Sequence, residues 1–181
     1  LDESFNIPLK VTASQFPADL NAPNTVLSAL GQFEVKATPM QMAMVSAAVA
    51  NNGTLMAPYL IQKVQAPNLS TVFEASPQVF AKPVTPKIAD QLSDMMVQVV
   101  ESGTGTAAQI KGIKVAGKTG TAQTTATAAP HAWFTGFAPA DDPQIAVAVI
   151  VENGGDVGSE ATGGAVAAPI ARAVMEAVLK P

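Results

Sequence analysis

Lys118, Thr119, Gly120 and Thr121 put one cation and two hydroxyls on four consecutive residues, inside the stretch KVAGKTGTAQ, Lys114 to Gln123. Such a set suits a small carboxylate: the ammonium supplies charge, and the hydroxyls supply directional donors. The segment reads as extended chain, because Ile113, Val115 and Gly117 alternate with Lys114, Ala116 and Lys118 at the period of a strand. Gly117 and Gly120 weaken a strand, and so predict that another backbone or a ligand approaches closely there.

Two chemistries use such a string. GIKVAGKT, Gly112 to Thr119, matches the phosphate-loop pattern GxxxxGKT, which needs an apolar strand before its first glycine and a helix directly after its Lys-Thr. Here the four intervening residues are strand formers, and GTAQTTATAAP follows, poor in helix formers and closed by Pro130. The run IAVAVIVE, Ile145 to Glu152, imitates the acidic strand that holds magnesium, so nucleotide binding stays as the remote alternative.

The other chemistry is acyl transfer. KTGTAQ followed by HAWFTGFAP, Lys118 to Gln123 and His131 to Pro139, resembles the KTG strand and the next strand of penicillin-binding protein transpeptidases. Upstream, LGQFEVKATPMQMAMVSAAVANNG and ESGTGTAAQIKGIKVAGKTGTAQ are similar to segments that class B transpeptidases carry. The resemblance covers nearly the whole chain and is nearest to the penicillin-binding protein A type. It implies an α/β fold of the α+β type, an antiparallel sheet with helices on both faces. Phe33 departs from the family's Gly-Gln-Gly, which bears on the local turn.

The roles that follow are those the resemblance implies. Lys118 is the KTG lysine, facing the cleft, bonding a second catalytic serine and favouring the substrate's negative charge. Thr119 and Thr121 offer hydroxyls to the carboxylate of a D-Ala-D-Ala stem peptide or a penicillin. The amide of Thr121 is the second donor of the oxyanion hole, and Gly120 leaves room for the bound peptide. The catalytic pair is thus Lys118 and Thr121, and the substrate-binding set is Thr119, Gly120 and Thr121. Trp133 reads as packing beneath the KTG strand. His131, the only histidine, reads as solvated surface, since the family's proton transfers use lysine and serine.

The nucleophile motif SxxK is missing: Ser14, Ser28, Ser46, Ser93 and Ser102 all lack lysine three positions on. In the family that serine attacks and its lysine activates it. Ser4-Phe5-Asn6 fits the family's SxN pattern, but FNIPLKV alternates like an extended segment, and the family's SxN sits at a turn far ahead of the KTG strand. It reads as a decoy. Residues 1–181 are therefore expected to be the C-terminal part of one transpeptidase domain whose nucleophile-bearing part lies outside them; a chain opening at Leu1 without methionine fits a truncated or cleaved product. The implied partners are stem peptides, β-lactam antibiotics, the N-terminal remainder of the protein and a glycan polymerase. The implied location is the extracytoplasmic face of the bacterial membrane, anchored by a segment outside this chain. No cofactor or metal is implied. A β-lactamase, a penicillin-sensor domain or a non-catalytic cell-wall assembly module of the same fold remain alternatives.

Composition agrees with a globular domain. In 181 residues, 48% are hydrophobic and 13% charged, and the net charge of -4 offers no basic field for nucleic acid. With no cysteine, a disulfide framework and a thiolate site are excluded. No uninterrupted apolar run is long enough to span a bilayer, and no signal peptide opens the sequence.

The supporting elements follow from local signals. Residues 1–24 read as irregular, broken by Pro8, Pro17 and Pro23. Thr38-Pro39-Met40-Gln41 has the form of a capping box and opens a helix that Asn51-Asn52-Gly53 stops. YLIQKVQ and STVFEA suggest a hairpin. Thr85-Pro86 opens a second helix, with Ile88, Leu92, Met95, Met96, Val99 and Val100 along one face, ending near Gly103. SGTGTA, Ser102 to Ala107, is either a flexible linker or a shaped loop near the cleft. KGIKVAGKTGTAQ, HAWFTGFAP and QIAVAVIVEN predict three consecutive strands, the last covered on both faces. A final helix over Ala165 to Leu179 is expected to use Val166, Ile170, Val174, Ala177 and Val178 as its covering face, with Pro169 in the first turn.

Overall fold

The computed structural model describes residues 7, 9–125 and 127–180. Ser4-Phe5-Asn6 lies outside the described residues. Helix α1, Ala22–Ala29, is capped by Asn21, whose side chain accepts from the Asn24 amide, and Pro23 sits in its first turn. This corrects the reading of Pro23 as a breaker: proline lacks only an N–H that a first turn leaves unpaired anyway.

Helix α2, Pro39–Ala50, starts where its sequence says, with Thr38 Oγ1 accepting from the Gln41 amide at 3.1 Å. The return half of the cap is supplied differently. The Thr38 amide donates to Ser14 Oγ, also at 3.1 Å, so a distant hydroxyl takes the place of the glutamine side chain. At the other end Gly53 has φ +80°, and a Cβ there would lie 2.3 Å from the Val84 carbonyl oxygen, which leaves glycine as the residue that fits.

An arm of short strands follows. β1, Leu55–Met56, pairs with β4, Val79–Ala81, around a hairpin of β2, Lys63–Gln65, and β3, Thr71–Glu74. The hairpin matches expectation; the outer pair is too short to leave a pattern. Helix α3, Pro86–Glu101, is capped by Thr85. Its buried side is rotated from the expected face. Ala89 and Val100 are buried, and Leu92, Met96 and Val97 pack inward, while Ile88 and Met95 are exposed.

The centre is a meander of β5, Ala116–Ala122, β6, His131–Ala138, and β7, Ile145–Val151, antiparallel and in that order. Helices α2 and α3 lie on one face, where Val49, Leu92 and Met96 meet Ala116 and Phe137. Helix α4, Ala168–Leu179, covers the other, where Phe134 and Val147 meet Ala168, Ala171 and Met175. This is the α+β arrangement expected. A wide turn over Gly163–Ala167 leads into α4, and Pro169 falls in its first turn. The face of α4 is the reverse of expectation: Ile170, Val174 and Val178 are exposed, and the small Ala168 and Ala171 with Met175 are fully buried. Close approach to a sheet favours residues with little bulk. No single helix among the described residues is long and apolar enough to cross a membrane.

Candidate active site

Lys118 lies on β5, at one edge of the sheet, and among the described residues the next element is strand β6, not a helix. That removes the phosphate-loop reading, because a phosphate cradle needs the amide groups of a turn and a helix N-terminus directly after the Lys-Thr pair. Strand periodicity then divides the motif. Lys118 and Gly120 share the α2 and α3 face with their cross-strand partners Thr135 and Trp133, whereas Thr119 and Thr121 share the α4 face with Phe134 and Ala132. The ammonium and the two alcohols therefore converge only around an exposed edge. An edge strand makes that possible, since among the described residues nothing pairs with β5 on its outer side.

A cleft of 610 Å³ opens beside this edge. Lys118 to Thr124 form one wall, Trp133, Thr135 and Ile150 the floor, and residues 30–37 the opposite wall. The volume is in the range that holds a small ligand. Lys118 is exposed, and its Nζ donates to the Thr119 carbonyl at 2.7 Å. Thr121 is exposed; Thr119 is half-buried, and its Oγ1 is 2.6 Å from Thr104 Oγ1. SGTGTA is thus a shaped loop against the KTG strand: Gly103 and Gly105 amides both donate to the Val99 carbonyl.

The two glycines of the motif have neighbours on the sheet itself. A Cβ on Gly117 would lie 2.3 Å from Phe134 Cζ, and one on Gly136, directly opposite, 2.4 Å from the Ala116 carbonyl. The pair makes room for a fully buried phenylalanine ring. A Cβ on Gly120 would stand 3.2 Å from Trp133 Cβ, so the close approach predicted there comes from the neighbouring strand. Trp133 is half-buried beneath Gly120, as expected of a packing residue, and also faces the cleft.

Beneath Lys118, the Thr135 hydroxyl ties the floor together. Its Oγ1 lies 3.0 Å from the carbonyls of Met42 and Val147 and 2.6 Å from the buried Ser46 Oγ. Thr135 has one proton, which goes to a carbonyl, and it accepts from Ser46. His131 is half-buried at the cleft's end, and its Nδ1 accepts from the Asn153 amide at 2.9 Å, which places its proton on Nε2. Phe33 holds φ +64°, so the turn keeps the left-handed backbone natural to a glycine despite the larger residue.

A model of the penicillin-binding protein transpeptidase domain matches residues 5–176. The chain belongs to that family. It is 44% identical over 177 residues to the peptidoglycan D,D-transpeptidase PbpA of Mycolicibacterium smegmatis, covering 96% of this chain and 36% of that protein. The PbpA of Mycobacterium tuberculosis is 39% identical, covering 96% of this chain and 35% of that protein. Among solved structures, penicillin-binding protein A from M. tuberculosis in its ceftriaxone acyl-enzyme complex superimposes with a TM-score of 0.91 at 38% identity, covering 97% of this chain and 40% of that one. The penicillin G acyl-enzyme complex of the same protein gives 0.86 at 39% identity, with coverages of 97% and 39%. The chain therefore spans about a third of the length of the curated relatives it matches.

Within this transpeptidase family segment, the contacts that sequence reasoning missed are Ser46, Ser14 and Thr104. Ser46 sits on an alanine-rich helix face, where only its polarity hinted at a buried partner. Thr104 lay in a stretch whose glycines fit linker and shaped loop equally well.

Proposed function

We propose that this chain supplies the KTG strand of a class B peptidoglycan D,D-transpeptidase. It forms the C-terminal part of a single transpeptidase domain, and the nucleophilic serine and its lysine come from the remainder of the protein. The observation that carries the reading is the KTG lysine on an open edge strand beside a cleft, in a chain 44% identical to a PbpA transpeptidase. In the proposed reaction the serine attacks the carbonyl of the penultimate D-alanine and terminal D-alanine leaves. The acyl group then passes to an amine on a neighbouring stem peptide. β-Lactams enter as mimics of the donor and stop at the acyl-enzyme.

Lys118 and Thr121 act as catalytic groups, and Thr119, Gly120 and Thr121 as the substrate-binding set. The ammonium of Lys118 draws the donor's carboxylate to the edge of β5 and stabilises the negative charge there. The Thr119 and Thr121 hydroxyls donate to that carboxylate from the α4 side, and the Thr121 amide serves the oxyanion. The site works at the extracytoplasmic face of the cell membrane, where its stem-peptide substrates are, beside a glycan polymerase.

The test is covalent labelling of the full-length protein with a fluorescent penicillin. The wild type is expected to label, and Lys118→Ala to lose about 10² or more of its acylation rate, as when one preorganised charge or donor is removed from such a site. Unchanged acylation in Lys118→Ala sinks the assignment.

A further inference from the structure

The contact between Thr104 and Thr119 carries a consequence for ligand binding. The two Oγ1 atoms are 2.6 Å apart, close enough for one O–H···O bond, and each hydroxyl has a single proton. If Thr119 donates to Thr104, its proton is spent, and only lone pairs remain for anything outside. A carboxylate has no proton to offer, so that arrangement repels it. If Thr104 donates instead, Thr119 keeps its proton for the ligand and becomes a better donor through the bond it accepts.

The backbone holds Thr104 in place for this. A Cβ on Gly164 would lie 2.2 Å from the Thr104 carbonyl oxygen and 3.9 Å from Thr119 Cγ2, so the loop is pressed between the turn before α4 and the KTG strand. The Gly105 amide, donating to Val99 at 2.9 Å, fixes its other side. The backbone that carries Thr104 is thereby held beside Thr119.

We propose that Thr104 is a positioning residue for carboxylate recognition: it donates to Thr119 Oγ1 and thereby directs the Thr119 proton to the carboxylate of the acyl donor or β-lactam. The inference deepens the acyl-transfer reading and rests on it. The ligand class is an anion with a carboxylate next to the scissile amide, and the role requires no contact between Thr104 and the ligand.

The experiment measures second-order acylation rates of the full-length protein by benzylpenicillin and by its methyl ester, in competition with a fluorescent penicillin. Thr104→Val is expected to lower the rate with benzylpenicillin about tenfold, on the order of one hydrogen bond to a charged group. Thr104→Ser restores it to within about twofold, since the hydroxyl alone is needed. The Thr104→Val change adds nothing to Thr119→Val, because one acts through the other. With the methyl ester the Thr104→Val effect shrinks to less than about twofold, as a smaller demand for a donated proton requires.

Equal losses with the acid and the ester overturn the proposal, for Thr104 then only supports the fold. So do multiplicative losses in the double variant, or an unaffected Thr104→Val. A wild type that takes no label instead refutes the acyl-transfer reading, and the two failures are thus distinguishable.

Discussion

Replacing Gly117 by alanine tests how the strand that bears Lys118 is seated. The added methyl would stand 2.3 Å from Phe134 Cζ and 2.8 Å from Cε2. Carbon atoms pack at about 3.5 Å or more, so the ring must retreat by about 1.2 Å. It has nowhere to go. Phe134 is fully buried, in a cluster with Val147, Ala171 and Met175. Overpacking of this kind costs about 1–3 kcal/mol, and alanine's lower unfolded-state entropy returns about 0.4–1 kcal/mol of that. The net expectation is about 1–2 kcal/mol in unfolding free energy. Thermal and urea unfolding of the full-length protein, with acylation followed in parallel, measure it. The diagnostic arm is Gly117→Ala combined with Phe134→Leu, which removes the colliding ring atoms. The double variant should be less destabilised than the two single changes summed, by about 1 kcal/mol. If Gly117→Ala unfolds within about 0.3 kcal/mol of wild type, or the two changes add, then the glycine does not exist to seat that ring.

Two further perturbations address the floor and the strand's entrance. Ser46→Ala removes the buried hydroxyl that donates to Thr135 and is expected to cost about 1 kcal/mol in urea unfolding, leaving Thr135 bonded to a backbone carbonyl. Lys114 has its pKa raised by the hydrogen bond and the charge of Asp141, 3.0 Å away. A raised value in the folded state means that the contribution is complete below the ordinary lysine range and fades as pH rises through the folded-state value. Asp141→Asn should therefore remove a small part of the stability at neutral pH that wild type loses only in alkaline solution. Because both groups are exposed, salt should shrink the difference. Acylation should be unaffected.

Local signals carried much of the fold. Thr38 and Thr85 cap their helices because a cap depends on three or four consecutive residues, and both are visible as Thr-Pro pairs. The three meander strands were equally legible from apolar runs and a Pro-bounded turn. Long-range choices were not. Periodicity marked an apolar stripe on α4, but the sheet took the alanines and Met175, since small residues let the helix approach closely. Pro23 was compatible with a break or a first turn, and only the Asn21 cap decides between them. At the site, the type and spacing of Lys118, Thr119 and Thr121 announced an anion, yet strand parity places the lysine and the threonines on opposite faces. That they border one cleft depends on β5 being an edge, a fact of sheet order that no stretch of ten residues contains.

The most direct measurement is the intact mass of the full-length protein after incubation with benzylpenicillin, followed by peptide mapping of the adduct. The account predicts an added mass of one whole penicillin, on a serine outside residues 1–181, at a rate that collapses when Lys118 becomes alanine. An adduct on any serine or threonine within these residues, or no adduct at all, contradicts it.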